Sequence, residues 1–205
     1  MIPRLIRERL IRERSLARRR SPTQVSTPQG FTTIEVLVVI VMLGILAAIA
    51  APGWLSFVNN QRVKNTADAA LQTMRRAQSR ASTENRTWEA SFRLVEGEGV
   101  QGSAHPRGGN PSWTTLSPDA GNLVTLDLSR TTMPQTCDHG DYCIRFEDRG
   151  VVSSESYDNP NAAGDDSGTI ARIAFADVDG GDNPNRRCVI VSTILGSIRG
   201  DRCED

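Results

Sequence analysis

Ready-made chemistry is scarce in this chain. Its 205 residues include four cysteines and two histidines. Neither Cys137/Cys143 nor Cys188/Cys203 has the C-x2-4-C spacing of a zinc site, and His105 and His139 add no second motif. No serine sits in a nucleophile-elbow pattern. His139 and Asp141 do lie beside Cys137 and Cys143, but catalysis needs a base oriented by a third group inside a pocket. The segment "DHGDY" between those cysteines reads as an exposed turn, and a disulfide would remove both thiols. The expectation is a chain without enzymatic activity and without a cofactor.

Net charge is missing as well, but the formal zero is a sum of unlike parts. Residues 1–30 hold eight Arg against two Glu, a charge of +6, and the remaining 175 residues carry −6. Between the basic head piece and the acidic body lies an apolar run. From Ile34 to Ala51, eighteen residues contain one charge, Glu35. As a helix rising ~1.5 Å per residue, that run spans a bilayer. Arg stays on the cytoplasmic side, so the expected topology is N-terminus inside and body outside. A cleaved secretory signal competes with this reading, since Ala47, Ala48, Ala50 and Ala51 resemble a small-x-small cleavage site. Against it stand the length of the run and its unbroken continuation into a second helical pattern.

In that pattern, over residues 53–83, Leu55, Val58, Ala67, Ala70, Leu71, Met74, Ala77 and Ala81 recur at three- and four-residue steps. Arg62, Lys64, Asp68, Arg75, Arg76 and Arg80 lie between them. Pro52 and Gly53 mark a join where a helix should kink or loosen. The two patterns together predict one helix of about fifty residues, ~75 Å long. A carboxylate in its lipid half costs about 2.5–3.5 kcal/mol unless something pairs with it.

"PQG-FTTIEVLVVIVMLGILAAIAAP" closely resembles the type IV prepilin signature of type IV pilins and type II secretion pseudopilins. The resemblance covers about 30 residues and implies several roles. Prepilin peptidase would cut after Gly30, removing the leader 1–30, and methylate the new N-terminus, Phe31. Glu35 would pair with the N-terminal amine of a neighbouring subunit, which agrees with the physics of a buried charge. Residues 31–52 become the membrane and assembly half of the helix, 53–85 the amphipathic half, and 86–205 a periplasmic head. The implied partners are prepilin peptidase, other pilins or pseudopilins, an inner-membrane assembly platform and membrane lipid.

"NNQRVKNTADAALQTMRRAQSRASTENRTWEASF" is similar to the first segment of the GspH/FimT branch of minor pseudopilins and minor pilins. "RRCVIVSTILGSIRGDRC" resembles that branch's closing hairpin, with a departure: Ser197 replaces one of its two arginines. Some members of the FimT branch bind DNA through the arginines of this hairpin, which here would be Arg187, Arg199 and Arg202. Arg186 lies beside them, with Asp201, Glu204 and Asp205 interspersed. Binding to DNA rests on neutralising phosphates. The mixed cluster, a body of −6 and few stacking aromatics therefore argue against it.

Past Asn85 the period becomes alternating. Strands are predicted at 88–95, 113–116, 123–128, 142–146, 169–175 and 188–195, with 197–202 pairing back on the last. Gly-, Asn-, Asp- and Pro-rich loops are predicted at 96–112, 153–168 and 177–185. Helix first and antiparallel strands after it is α+β, a long helix packed on an antiparallel sheet. An even cysteine count in an exported body favours disulfides. A two-residue turn at Leu195-Gly196 would put Cys188 directly opposite Cys203, within bonding range. Cys137 and Cys143 bracket a short turn and could close locally. The other two connectivities stay open.

"ADVDGGDNPN" gathers Asp177, Asp179, Asp182 and Asn183, oxygen ligands that suit calcium. Gly181 occupies an EF-hand ligand position, so the spacing fails and a surface turn is the expectation.

Overall fold

A computed structural model of the chain describes residues 30–157, 169–180 and 184–203. The chain divides into two compact units between Leu46 and Ala47. One helix, α1 (Thr33–Glu84), contributes to both. In the first unit every residue from Phe31 to Leu46 is exposed. The stretch Thr33–Ala50 has a mean hydropathy of 2.7 with none of it buried, long and apolar enough to cross a membrane.

In the second unit the helix turns one stripe inward. Val63, Ala67, Ala70, Met74, Ala77 and Ala81 are buried, while Arg75, Arg76 and Arg80 stay in water. Four of those six are alanine, which lets strands approach the helix backbone closely. Leu55 is 65% exposed and Val58 half-buried, so the covered stripe begins about two turns later than the apolar pattern implies. The helix stops at Asn85, whose φ of +49° is the left-handed conformation that ends many helices.

The remainder of this unit is built of strands β1 (Trp88–Val95), β2 (Gly99–Pro106), β3 (Thr114–Thr115), β4 (Val124–Leu126), β5 (Tyr142–Phe146), β6 (Ala171–Asp177), β7 (Arg186–Val191) and β8 (Ile198–Asp201). A four-residue helix, α2 (Ser154–Tyr157), follows β5. The strands form two antiparallel four-stranded sheets, in the orders β3-β2-β1-β5 and β4-β6-β7-β8. The class is α+β as expected, with two sheets where one was expected. Both contribute to a single core with the helix stripe: Trp88, Phe92, Ile144 and Phe146 from the first, Ile173, Phe175, Val189 and Val191 from the second.

One strand was hidden by its composition. β2 occupies the middle of the predicted loop 96–112 and pairs with β1 along its whole length. Its sequence, GVQGSAHP, has few apolar residues to alternate. Glycine is needed here for space: a Cβ at Gly102 would collide with Leu116 and press on the Phe92 ring. At Gly99, φ is +79° and a Cβ would meet the Gly121 carbonyl oxygen.

The structure joins Cys137 to Cys143 and Cys188 to Cys203, with Cα separations of 5.6 and 5.2 Å. The register behind the second pair differs from expectation. Cys188 stands opposite Asp201, not Cys203. The turn holds four residues, Thr193 to Gly196, closed by hydrogen bonds from Ser192 N–H to Ser197 O and from Gly196 N–H to Thr193 O. The error is two residues, so side-chain parity survives. Cys203 still falls on the face of Cys188, two residues beyond the end of β8.

Candidate functional site

The first site predicted from sequence lies at the start of α1. Phe31 is 81% exposed. The Thr32 hydroxyl accepts the Glu35 backbone N–H at 3.3 Å, and the Thr32 carbonyl accepts the N–H groups of Glu35 and Val36. Thr32-x-x-Glu35 is therefore half of a capping box, a local signal the sequence reading passed over. The other half is absent: among the described residues nothing bonds to the Glu35 carboxylate. The threonine caps the helix, and the acid stays free for a partner.

A second cluster was not anticipated at all. On β1, Trp88, Ala90 and Phe92 enter the core, which turns Glu89, Ser91 and Arg93 to the other face. That face should be wet in an antiparallel sheet. Here it is not, since Glu89, Ser91, Ser103, His105 and Arg145 are all buried. Register explains their meeting. His105, Glu89 and Arg145 form one cross-strand row, and Ser103, Ser91 and Cys143 the next. The disulfide sulfurs lie within 4.8 Å of a Glu89 oxygen, and α2 closes the side by accepting the Arg145 N–H on the Ser156 hydroxyl.

Arg145 organises the cluster. Its Nε donates to Glu89 at 2.8 Å, its Nη2 to Asp138 at 3.1 Å and its Nη1 to Glu155 at 2.7 Å. Burial works against its charge, but Glu89, Asp138 and Glu155 outweigh it and hold the guanidinium above its ordinary value. The Ser91 hydroxyl donates to Glu89 Oε1 at 2.6 Å and lies 3.1 Å from His105 Nε2. His105 Nδ1 faces the Pro106 carbonyl, and its Nε2 stands 3.7 Å from Glu89 Oε1, so the ring is held between a backbone oxygen and the carboxylate. Glu89, Cys137 and Cys143 have metal-ligand chemistry, but the disulfide occupies both thiols.

The Asp138 carboxyl is held below its usual value by the Gly108 N–H, 2.7 Å away, which outweighs burial, with Arg145 adding to the effect. A depressed folded-state value means a stabilising contribution that is complete above the unfolded value near 3.8. It is lost as pH falls below that, through the folded-state value. Urea midpoints of the wild type and Asp138→Asn, measured from about pH 5.5 down to about pH 2.5, should therefore converge at the acid end.

The arginines proposed for DNA are not brought together. Arg199 opposes Ile190, and Arg187 lies at the alternate parity, so the two occupy opposite faces of the second sheet. Arg202 lies beyond the end of β8. Arg186 is neutralised by Asp127 at 3.0 Å. The turn of this hairpin instead docks on α1. Gln78 Nε2 donates to the carbonyls of Gly196 and Gly150, both at 2.9 Å. Gly196 has φ +76°, and a Cβ there would collide with the Gln78 amide.

In the acidic loop, Asp177 is buried and accepts the Asn185 N–H at 2.9 Å and the Asn185 side chain at 3.3 Å. It closes the loop as a turn acid does. Asp179 is exposed, and Asp182 and Asn183 lie outside the described residues. His139 stacks edge-on against His105 with centroids 5.5 Å apart, and Asp141 accepts the Leu94 N–H.

No protein-family model and no curated protein matches this chain. Among solved structures it is similar to the type IV minor pilin FimU of Pseudomonas aeruginosa, at 15% identity and a TM-score of 0.44, over 71% of this chain and 92% of that one.

Proposed function

We propose that the chain is a minor pilin or pseudopilin of the GspH/FimT type, a structural subunit of a type IV pilus or type II secretion pseudopilus. The observation that carries this reading is the start of α1. A Gly30-Phe31 step opens an exposed apolar helix, and a carboxylate without a partner among the described residues sits in its first turn. An isolated membrane anchor has no use for that acid. A bundle of like helices does, because each subunit brings one amine and one carboxylate into low dielectric. In this reading prepilin peptidase trims the leader after Gly30 and methylates Phe31. The chain then spans the cytoplasmic membrane once, N-terminus inside and head in the periplasm, until an inner-membrane platform builds it into a fibre. Mass spectrometry of the mature protein should give an N-methylated Phe31 as first residue. A first residue near Ala51 would mean an ordinary secretory signal and would overturn the reading.

DNA reception on a transformation pilus is the competing role, and the split arginines speak against it. The head is expected to bind double-stranded DNA weakly or not at all at physiological salt. Non-specific binders reach ~10⁻⁴–10⁻⁶ M there by releasing counterions from several phosphates. A fluorescence titration over a salt series checks this. Micromolar binding with a steep salt slope, abolished by Arg199→Ala, would reverse the ranking.

A further inference from the structure

The most conspicuous exposed apolar group in the second unit is not on the head. Trp54, Leu55 and Phe57 are 67%, 65% and 60% exposed. The Trp54 and Phe57 rings pair one turn apart, with centroids 6.0 Å from each other. With Ala47, Ala50 and Gly53 they line a shallow apolar hollow on the helix surface. The head cannot cover it. At about 100° per residue, Trp54 lies roughly opposite the stripe that runs from Val63 to Ala81. Directly after Phe57 the surface becomes polar, with Asn59, Asn60, Gln61, Arg62 and Lys64.

The position along the chain says what does cover it. A hydrocarbon layer of ~30 Å takes up about twenty helical residues. Counted from Thr33, the layer ends near Gly53, and Trp54 to Phe57 fall in the next ~6 Å at the standard rise. That is the depth of the headgroup–acyl boundary. Tryptophan is enriched there because its ring is apolar and its indole N–H still reaches polar groups. Continuity with the membrane span, the aromatic pair and the abrupt polar border together select lipid over a protein partner.

We propose that Trp54 and Phe57 form an interfacial anchor that seats in the headgroup–acyl boundary of the outer leaflet and fixes the depth of the helix before assembly. This rests on the membrane-spanning reading above. The test reconstitutes the full chain in phosphatidylethanolamine–phosphatidylglycerol vesicles doped with phosphatidylcholine brominated either near the glycerol or deep in the acyl chain. Subtracting the emission of Trp54→Phe isolates Trp54 from Trp88 and Trp113. Shallow bromines should quench that difference signal about twofold or more over deep ones, the pattern of an interfacial indole. A Phe57→Trp reporter in the Trp54→Phe background should behave in the same way.

An unquenched signal, whether from water exposure or from cover by a second copy, overturns the anchor, as does stronger quenching by deep bromines. Alkaline carbonate extraction of the same vesicles separates the two failures. A chain that washes off overturns both the membrane span and the anchor. A chain that stays, with Trp54 not quenched from the shallow position, overturns the anchor alone.

Discussion

Replacing Arg145 by leucine is expected to cost the head about 3–5 kcal/mol, the usual loss when one partner of a buried ion pair is removed. Glu89 is fully buried and would be left with Ser91, the His105 ring at 3.7 Å and a long contact from the Asp138 N–H at 3.4 Å. Against a net domain stability of roughly 5–15 kcal/mol, that loss is a large share of the total. The urea midpoint of the full chain in detergent measures it. The double replacement Glu89→Gln/Arg145→Leu should recover part of the loss, since the penalty lies in the stranded charge and not in a missing attraction. A double mutant no better than Arg145→Leu would mean that packing around the guanidinium dominates.

Glu35→Ala is expected to insert into the membrane as well as the wild type or better, yet to enter fibres on the order of a hundredfold less efficiently. Insertion improves because a charge leaves the apolar run. Assembly fails because a neighbour's amine is left unpaired in low dielectric. Membrane fractionation and the amount of subunit in sheared fibres separate the two effects. The half-formed capping box sharpens the comparison. Thr32 already satisfies the Glu35 N–H, so the helix start should survive the substitution. Wild-type incorporation of the mutant would exclude the pairing role.

The helix and the entry to the sheets were legible because their signals are periodic. Alanines at three- and four-residue steps marked the stripe from Ala67 to Ala81, and the strands at 88–95 and 142–146 coincide with β1 and β5. The misses in the first sheet share one cause: strands whose burial is polar or small. β2 buries Gly, Gln, Ser and His, residues that local pattern assigns to loops. The polar row on the far side of the first sheet follows from register, since Glu89 means little until β2 and β5 bring His105 and Arg145 beside it. The Cys143 parity with Arg145 hinted that this face lies under a covered segment. At the closing hairpin, Gly196 suggested a two-residue turn, whereas Gly196 is the last residue of a four-residue one. What fixes that turn is Gln78, more than a hundred residues upstream.

In the proposed exported topology, that contact bears on how the chain acquires its structure. Gln78 and Gly196 are 118 positions apart, and the core strands β6 and β7 are almost as distant from the stripe they cover. A head that crosses the membrane from its helix onward presents that helix early, with the stripe from Val63 to Ala81 bare. Nothing downstream can complete the cover until the last hairpin has crossed. Contacts of such large sequence separation form slowly, and exposed apolar surface is prone to aggregation while it waits. Replacement of Gly196 should therefore be felt first as slow maturation and degradation of newly exported chains, before any defect appears in the folded subunit.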